Sequence, residues 1–243
     1  MRLLLKEALK KIRLTFGRFL SVFFIVALGV GFFAGIRNTS DDMLYTAASY
    51  YEKENLMDLR LVSTLGFTDK DKEYVEKIDG VKQVEVSYYL DCLESSNAVR
   101  IMAMPKEINK FTIVAGRMPK NSHEVLADST KYKVGDKLTL DTKDLKETEV
   151  EVVGLVKSPM YIQFNNKGTT LIGNGKIYAY IYTNEENFNL SVYTVMYIKG
   201  TKTSKLRAYT DAYQKEEEKL QSTLNDHLEE LKTRRYEEVR NEA

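Results

Sequence analysis

The residue types that most often carry metal or nucleophilic chemistry are scarce in this chain. It has two histidines, His123 and His227, and one cysteine, Cys92. Neither histidine has a second His or Cys at ligand spacing, so the sequence predicts no metal site. One cysteine cannot form an internal disulfide, and we expect Cys92 to be a small buried apolar residue.

Catalytic motifs are missing from the sequence as well. There is no Gly-x-Ser-x-Gly elbow and no Cys/His pair in a context suited to nucleophilic catalysis. The many carboxylates lie on charged faces rather than in an isolated pair. We therefore predict no catalytic residues, no cofactor and no enzyme activity.

One glycine-rich stretch, residues 168–176 (GTTLIGNGK), has some likeness to a nucleotide-binding loop. A phosphate loop needs Gly-Lys-Ser/Thr directly after its spacer, at the start of a helix. Here Asn174 intervenes, and Lys176 opens the strand-like run KIYAYIYT. We interpret the stretch as a loop before a strand, whose glycines occupy backbone positions with positive φ.

Composition sets the scale of the protein. The chain has 243 residues, 43% of them apolar and 29% charged, with a net charge of only +1. This is enough for one sizeable domain with appendages. The overall balance gives no reason to expect nucleic acid as a partner.

Residues 19–36 (FLSVFFIVALGVGFFAGI) carry no charge and are bounded by Arg18 and Arg37. A helix of this length covers about 27 Å, close to the thickness of a bilayer's hydrocarbon core. We predict that this stretch is a transmembrane helix, with the lipid bilayer as its partner. Ala27, Gly31 and Gly35 lie one turn apart, which would let another helix approach closely.

The segment before this stretch is basic, with six Lys or Arg residues against Glu7 in residues 1–18. A cleaved signal peptide would have a shorter apolar region and a small-residue cleavage site, so we favour a retained anchor. The positive-inside rule predicts a cytoplasmic N-terminus and an extracytoplasmic domain from residue 37 onward in the cell membrane. The apolar residues of the lead recur at helical spacing, as in an amphipathic helix on the inner surface or an extension of the membrane helix: Leu5, Leu9, Ile12, Phe16 and Phe19, with Lys6, Lys10 and Arg13 off that face.

The remainder predicts an α+β fold. A helix over residues 41–56 continues from the membrane, and a second helix over 69–78 has Thr68 as N-cap and ends at Gly80. Strands are predicted over residues 57–63, 81–90, 98–104, 111–115, 124–127, 137–140, 148–156, 176–182 and 192–199. Helices followed mostly by strands indicate an α+β domain over residues 37–202.

Residues 203–243 contain no Gly or Pro and have apolar residues at heptad-like spacing. The pattern predicts a long helix that forms a coiled-coil-like arm. An apolar stripe needs a partner, and the sequence offers no obvious second strand for a coiled coil. We therefore expect either a longer polypeptide, of which this is the front part, or pairing with a second copy.

Several short motifs in this order resemble the N-terminal part of FtsX-like ABC transporter permeases, with their MacB-like core domain. The resemblance covers nearly the whole chain. It also includes the basic start, the membrane helix and residues 185–188 (EENF). The positions that carry the motifs are Gly116, Arg117, Pro119 and Glu124 (G-R-x-P…E), Gly135 and Asp136 (V-G-D), Gly154 (V-x-G-x-V), Ser158 and Pro159, and Gly173 and Gly175.

The resemblance implies a permease subunit, or its N-terminal fragment, that couples a cytoplasmic ABC ATPase to an extracytoplasmic domain for export or mechanotransmission. Residues 19–56, which contain no proline, would form the lever. Two features depart from the family. The stretch between Glu124 and Val134 is short for the helix usually found there, and about three further membrane helices are missing, so this chain alone should transport nothing.

The alternative is a single-pass surface protein, with an α+β domain that binds a ligand or partner and a coiled coil that dimerises it. An ATPase gene beside this one, or a reading frame that continues into more apolar helices, favours the permease.

Overall fold

The computed structural model describes residues 6, 7, 10, 15–163 and 165–242. The chain forms two compact units, Met1–Ala47 and Ala48–Ala243. Of the predicted amphipathic lead, Leu5, Leu9, Ile12 and Arg13 lie outside the described residues. The helices and strands are, in chain order, α1 Phe16–Lys53, β1 Leu59–Phe67, α2 Asp69–Glu76, β2 Val81–Ser87, β3 Tyr89–Glu94, β4 Asn97–Ala103, β5 Thr112–Gly116, β6 Glu124–Asp128, β7 Lys137–Asp141, β8 Glu149–Lys157, β9 Ile177–Thr183, β10 Tyr193–Gly200 and α3 Asp211–Glu242.

Helix α1 joins the predicted membrane stretch and the helix predicted over residues 41–56 into one element of 38 residues. Within the described residues it is the one helix long and apolar enough to cross a membrane, with a mean hydropathy of 2.5 over 18 residues, none of them buried. It ends three residues before the prediction because Asn55 has a φ of 47°. The Asn55 and Leu56 amides donate to the Glu52 and Tyr51 carbonyls, the hydrogen bonds of a Schellman cap.

Strands β1, β10 and β2 form a small antiparallel sheet in that order. Helix α2 begins beside it at Asp69, and the amide and hydroxyl of the preceding Thr68 both donate to the Asp71 carboxylate, at 2.8 and 2.9 Å. Thr68 thus precedes the helix as predicted. Helix α2 ends at Glu76, two residues before the predicted end.

The other seven strands form a sheet in the order β5-β8-β6-β9-β4-β3-β7, and β7 also pairs with β8. Strands β8, β6, β9, β4, β3 and β7 therefore close into a six-stranded barrel, which removes exposed edges. The long strand β8 makes closure possible. Leu138 pairs with Val150 near one end of β8, and Thr112 of β5 pairs with Lys157 at the other.

Small and β-branched side chains fill the barrel. Val99, Ile101, Val125, Val152 and Ile181 are all fully buried in one cluster. Cys92 belongs to the same cluster, and its burial raises the pKa of the thiol to about 12. This confirms the expectation of a small buried apolar residue.

The α+β fold class is confirmed, but one predicted strand is divided. Residues 81–90 were expected to be continuous, whereas β2 belongs to the small sheet and β3 to the barrel. The chain changes sheets at Tyr88, whose ring centroid lies 5.0 Å from those of Phe188 and Tyr193. The alternation of side chains along the sequence continues through Tyr88, so it does not reveal that the chain passes from one sheet to the other.

The C-terminal helix begins at Asp211, later than residue 203. Thr203–Lys205 is a 3-10 turn, and Tyr209 has a φ of 65°. The hydroxyl of Thr210 then accepts a hydrogen bond from the Tyr213 amide at 3.2 Å, as an N-cap residue does.

The apolar stripe of α3 finds its partner within the chain, which corrects the expectation that none was available here. Leu220, Leu224 and Leu231 are buried in one cluster with residues of the small sheet and α2, among them Val75, Val84, Val86, Met196 and Ile198. Packing against this sheet accounts for the heptad-like spacing of these leucines without a second helix.

We predict that Leu224→Ala lowers the free energy of unfolding by about 2–5 kcal/mol, because it leaves a cavity in this cluster. Urea unfolding of the full chain in detergent measures the change, and Gln221→Ala on the exposed face is the matched control. The midpoint should not depend on protein concentration. A midpoint that rises with concentration would instead support a coiled coil between chains.

Candidate functional site

Four of the predicted motif positions meet at one corner of the barrel, where β5, β8 and β6 run side by side. Gly116 pairs with Gly154 across β5 and β8. The Arg117 guanidinium donates to both Glu124 carboxylate oxygens, at 2.6 and 2.7 Å. The motif residues, far apart in sequence, thus form one compact turn.

Both glycines are required there by close backbone contacts. A Cβ on Gly116, whose φ is 77°, would lie 2.2 Å from the Val153 carbonyl oxygen. A Cβ on Gly154 would lie 2.5 Å from the Arg117 carbonyl oxygen. Any side chain at either position would force β5 away from β8.

The ion pair fixes the loop between β5 and β6. Glu124 also accepts a hydrogen bond from the Lys120 amide at 2.8 Å, next to the half-buried Pro119. The Arg117 hydrogen bonds, with that of the Lys120 amide, lower the pKa of Glu124 to about 2. The Arg117–Glu124 pair thus has a structural role at this corner.

Gly135 and Asp136 lie directly before β7, and their backbones are hydrogen-bonded to β8. The Gly135 amide donates to the Val152 carbonyl at 2.7 Å, and the Val152 amide donates to the Asp136 carbonyl at 2.8 Å. The Asp136 carboxylate accepts the Lys133 amide at 2.8 Å. Gly135, with a φ of 95°, allows the turn that makes these bonds.

Ser158 and Pro159 are buried after β8, apart from that corner. The Ser158 hydroxyl lies 2.8 Å from the Tyr182 hydroxyl, and the Ser158 amide donates to the Tyr180 hydroxyl at 3.2 Å. Gly173 and Gly175, with φ of 57° and 79°, shape the loop before β9. The loop therefore precedes a strand and not the helix of a phosphate-binding loop.

The remaining predicted positions do not converge on a reaction centre. His123 is exposed, 3.4 Å from Glu147, and His227 lies 3.0 Å from the Tyr74 hydroxyl. Among the described residues, no group of three or more His, Cys, Asp or Glu side chains could hold a metal ion. Gly31 and Gly35 have open space where a Cβ would be, and packing of a helix against them and Ala27 stays a prediction.

The end of α1 is held by a set of polar contacts that sequence reasoning did not identify. The Glu54 carboxylate accepts the Thr112 hydroxyl at 2.7 Å, and the Tyr50 hydroxyl donates to the Lys157 carbonyl at 3.2 Å. The Asn55 side chain donates to the Glu107 carbonyl at 2.8 Å. These bonds connect the helix end to β5, to β8 and to the loop after β4.

That loop is in turn fixed by a carboxylate of the small sheet. Glu85 of β2 is buried and accepts the amides of Lys106, Glu107 and Ile108 at 2.8–2.9 Å. Asn109, which follows, accepts the Met57 amide at 2.9 Å. The end of α1 is thereby bonded to both sheets.

Asp58 follows the helix and has a fully buried carboxylate. It accepts hydrogen bonds from the Lys199 ammonium at 2.9 Å, the Gly200 amide at 2.7 Å and the Tyr213 hydroxyl at 2.8 Å. Burial, with the Asp58 charge second, raises the pKa of Tyr213. Asp58 therefore ties the start of β1 to β10 and α3. The one sign of this role in the sequence is that a charged residue stands directly before an apolar strand.

No family model matches the sequence, and no curated protein matches it significantly. The structure is similar to the extracellular domain of a noncanonic ABC-type transporter, YknZ, from Gram-positive bacteria, with a TM-score of 0.34 and 14% identity over 57% of this chain and 75% of that chain. It is also similar to the periplasmic region of MacB from Actinobacillus actinomycetemcomitans, with a TM-score of 0.34 and 8% identity over 68% and 75% of the two chains. Similarity of this degree identifies neither a family nor an activity.

We predict that Asp58→Asn lowers the free energy of unfolding by about 3–5 kcal/mol, because it leaves the Lys199 charge without its partner. Urea unfolding measures the change, with Asp79→Asn at an exposed position as the control. Adding Lys199→Met to Asp58→Asn should recover part of the loss. If Asp58→Asn and the control Asp79→Asn are equally stable, the bonds of Asp58 do not stabilise the fold.

We predict that Arg117→Gln raises the pKa of Glu124 from about 2 toward the ordinary value near 4.3. Because the folded-state pKa of Glu124 is depressed, the ion pair stabilises the fold above about pH 4.3. This contribution to stability is lost as the pH falls toward 2. A carbon-13 NMR titration of the side-chain carboxyls measures this, with Arg240→Gln as the control. A Glu124 pKa that is the same in both variants would contradict the prediction.

Proposed function

We propose that this chain is the membrane-anchored, extracytoplasmic part of an ABC transporter permease subunit of the FtsX-like type. The observation that carries the proposal is helix α1, whose 18-residue apolar window is entirely exposed in the structure. Water does not accommodate such a surface, whereas a bilayer does. The subunit would work with a cytoplasmic ABC ATPase.

The energetics of insertion are favourable. Twelve of residues 19–36 are Phe, Leu, Val or Ile. At about −0.3 to −0.6 kcal/mol for each residue, their insertion contributes roughly −4 to −7 kcal/mol. The one polar side chain, Ser21, donates to the Gly17 carbonyl at 2.9 Å, so its hydroxyl is satisfied within the helix.

Charge supports one orientation. Six basic residues precede or border the apolar stretch on its N-terminal side, with Glu7 as the only acidic one. The cytoplasmic side retains Lys and Arg, so the N-terminus lies inside and the unit Ala48–Ala243 outside. A retained anchor, rather than a cleaved signal, is part of the proposal.

The bonds at the end of α1 support transmission of force. Tyr50, Glu54 and Asn55 bond to β5, β8 and the loop after β4, and that loop is bonded to Glu85 of β2. A displacement of this helix end would therefore act on the barrel and on the small sheet together. The family resemblance implies the same role, in which an ATPase moves membrane helices and the outer domain responds.

Other helices of the membrane part would pack on Ala27, Gly31 and Gly35. These are the remaining permease helices or a second copy, and small residues allow the backbones to approach closely. No cofactor is part of the proposal, since the subunit would have no reaction of its own. The competing proposal is a single-pass surface protein that works without an ATPase.

Co-purification tests the proposal. The tagged full chain, extracted in mild detergent from membranes of the organism that encodes it, should bring down an ATP-hydrolysing subunit, detected by mass spectrometry and vanadate-sensitive ATPase activity. Gly31→Leu with Gly35→Leu should reduce the recovered activity by about tenfold, because the leucines separate the helices. Gly29→Leu, on another face, is the matched control.

Two results would contradict the permease proposal. One is an anchored chain that is recovered without any ATPase. The other is equal loss of activity in the Gly29 control, which would show that the effect comes from α1 itself rather than from a helix contact.

A further inference from the structure

An open cleft lies within the unit Ala48–Ala243, lined by residues of the small sheet, the barrel and the segment after β8. Its volume is about 950 Å³, at the upper end of the range for small-molecule sites. Arg60, Tyr89, Arg100, Tyr161 and Asn166 are among its lining residues.

Three of the four charged side chains in the cleft are neutralised by partners. Arg100 donates to both oxygens of Asp91 at 2.7 and 2.8 Å. Lys167 lies 2.8 Å from Asp128, with both side chains almost fully buried. Asp58 is paired with Lys199, as described above.

Arg60 is the exception. It is exposed, and among the described residues no carboxylate lies within 4.0 Å of its guanidinium. The cleft therefore carries one uncompensated positive charge at its wall. An anionic group that entered the cleft would be drawn to this residue.

The Arg60 side chain is placed by an aromatic ring and not by an acid. Its guanidinium carbon lies 5.9 Å from the centre of the Tyr89 ring, and that of Arg100 lies 4.9 Å from the same ring. The Tyr89 backbone is fixed by Thr194, whose hydroxyl accepts the Tyr89 amide at 2.7 Å and donates to the Tyr89 carbonyl at 2.9 Å. The Tyr89 ring thus lies within cation–π distance of both guanidinium groups, on a backbone that Thr194 holds.

The two cations also act together on the tyrosines around them. Burial raises the pKa of Tyr161 and of Tyr197, and the charges of Arg60 and Arg100 act against that rise at both hydroxyls. The positive potential is therefore shared across the cleft wall. Tyrosine rings, the amides of Gln163 and Asn166 and several apolar side chains are among the remaining lining residues.

We propose that this cleft binds a small organic anion, with a carboxylate or phosphate group on the Arg60 guanidinium and a planar or apolar portion against the tyrosine rings. A guanidinium binds either group through two parallel hydrogen bonds. The inference does not depend on the proposed function, because a ligand cleft suits a surface protein as well as a permease.

Phenyl phosphate is the probe, because it combines a planar ring with a phosphate. Ligand-observed NMR with the full chain in nanodiscs of zwitterionic lipid measures its dissociation constant. Phenol tests the ring without the charge, and inorganic phosphate tests the charge without the ring. We expect phenyl phosphate to bind more tightly than either, and its binding to weaken as the salt concentration rises.

Substitutions then test the residue. Arg60→Gln should weaken phenyl phosphate binding by about tenfold or more, since it removes the charge-assisted hydrogen bonds of the guanidinium. Arg60→Lys should retain part of the affinity, and Arg240→Gln, an exposed arginine outside the cleft, should retain all of it. Unfolding temperatures confirm that the variants are folded.

The inference is wrong if Arg60→Gln and Arg240→Gln bind phenyl phosphate equally. It is also wrong if phenol binds as tightly as phenyl phosphate, because the ring alone would then account for binding. Neither result would bear on the ATPase interaction, so failure here is distinguishable from failure of the permease proposal.

Discussion

The exposed apolar surface of α1 is the constraint on which the account of this protein depends. Residues 19–36 present almost nothing but hydrocarbon on every side of the helix, and none of the described residues covers them. Within the unit Ala48–Ala243, by contrast, apolar side chains are buried in several clusters. The chain thus buries apolar side chains in a protein core in one unit, and we propose that a bilayer covers those of α1.

Within the unit Ala48–Ala243, buried polar side chains as well as packing hold distant parts of the chain together. Asp58 and Glu85 each accept several hydrogen bonds, and each connects parts of the chain that are far apart in sequence. Buried carboxylates are costly unless fully bonded, so they fix one arrangement of the strands. The end of α1 joins this network, which makes it part of the folded unit and not a loose tether.

Much of the fold could be predicted from sequence, because periodicity reports local structure. The apolar stretch, the Thr68 cap, the long C-terminal helix and most strands followed from it. The division at Tyr88 and the closure of β7 on β8 depend on which strands meet in space, and alternation carries no such information. The partner of Leu220, Leu224 and Leu231 was missed because the small sheet is built from strands that are far apart in sequence, which leaves no local sign.

The candidate site divides in the same way. Gly116, Arg117, Glu124 and Gly154 were identified by motif and meet at one corner, where they fix strand geometry. Arg60 and Asp58 lie in no motif, and their surroundings come from residues of several elements. Sequence reasoning therefore found positions that shape the backbone, whereas the roles of the charged side chains Arg60 and Asp58 could be identified only from the structure.

Alkaline carbonate extraction of membranes that contain the full chain tests whether α1 lies among lipid tails. We expect the chain to stay in the membrane pellet and to be released only by detergent. Replacing Val26 and Val30 with lysine should make it extractable, whereas alanine at the same positions should not. Recovery of the unaltered chain in the carbonate supernatant would contradict the account, since α1 would then not lie among lipid tails.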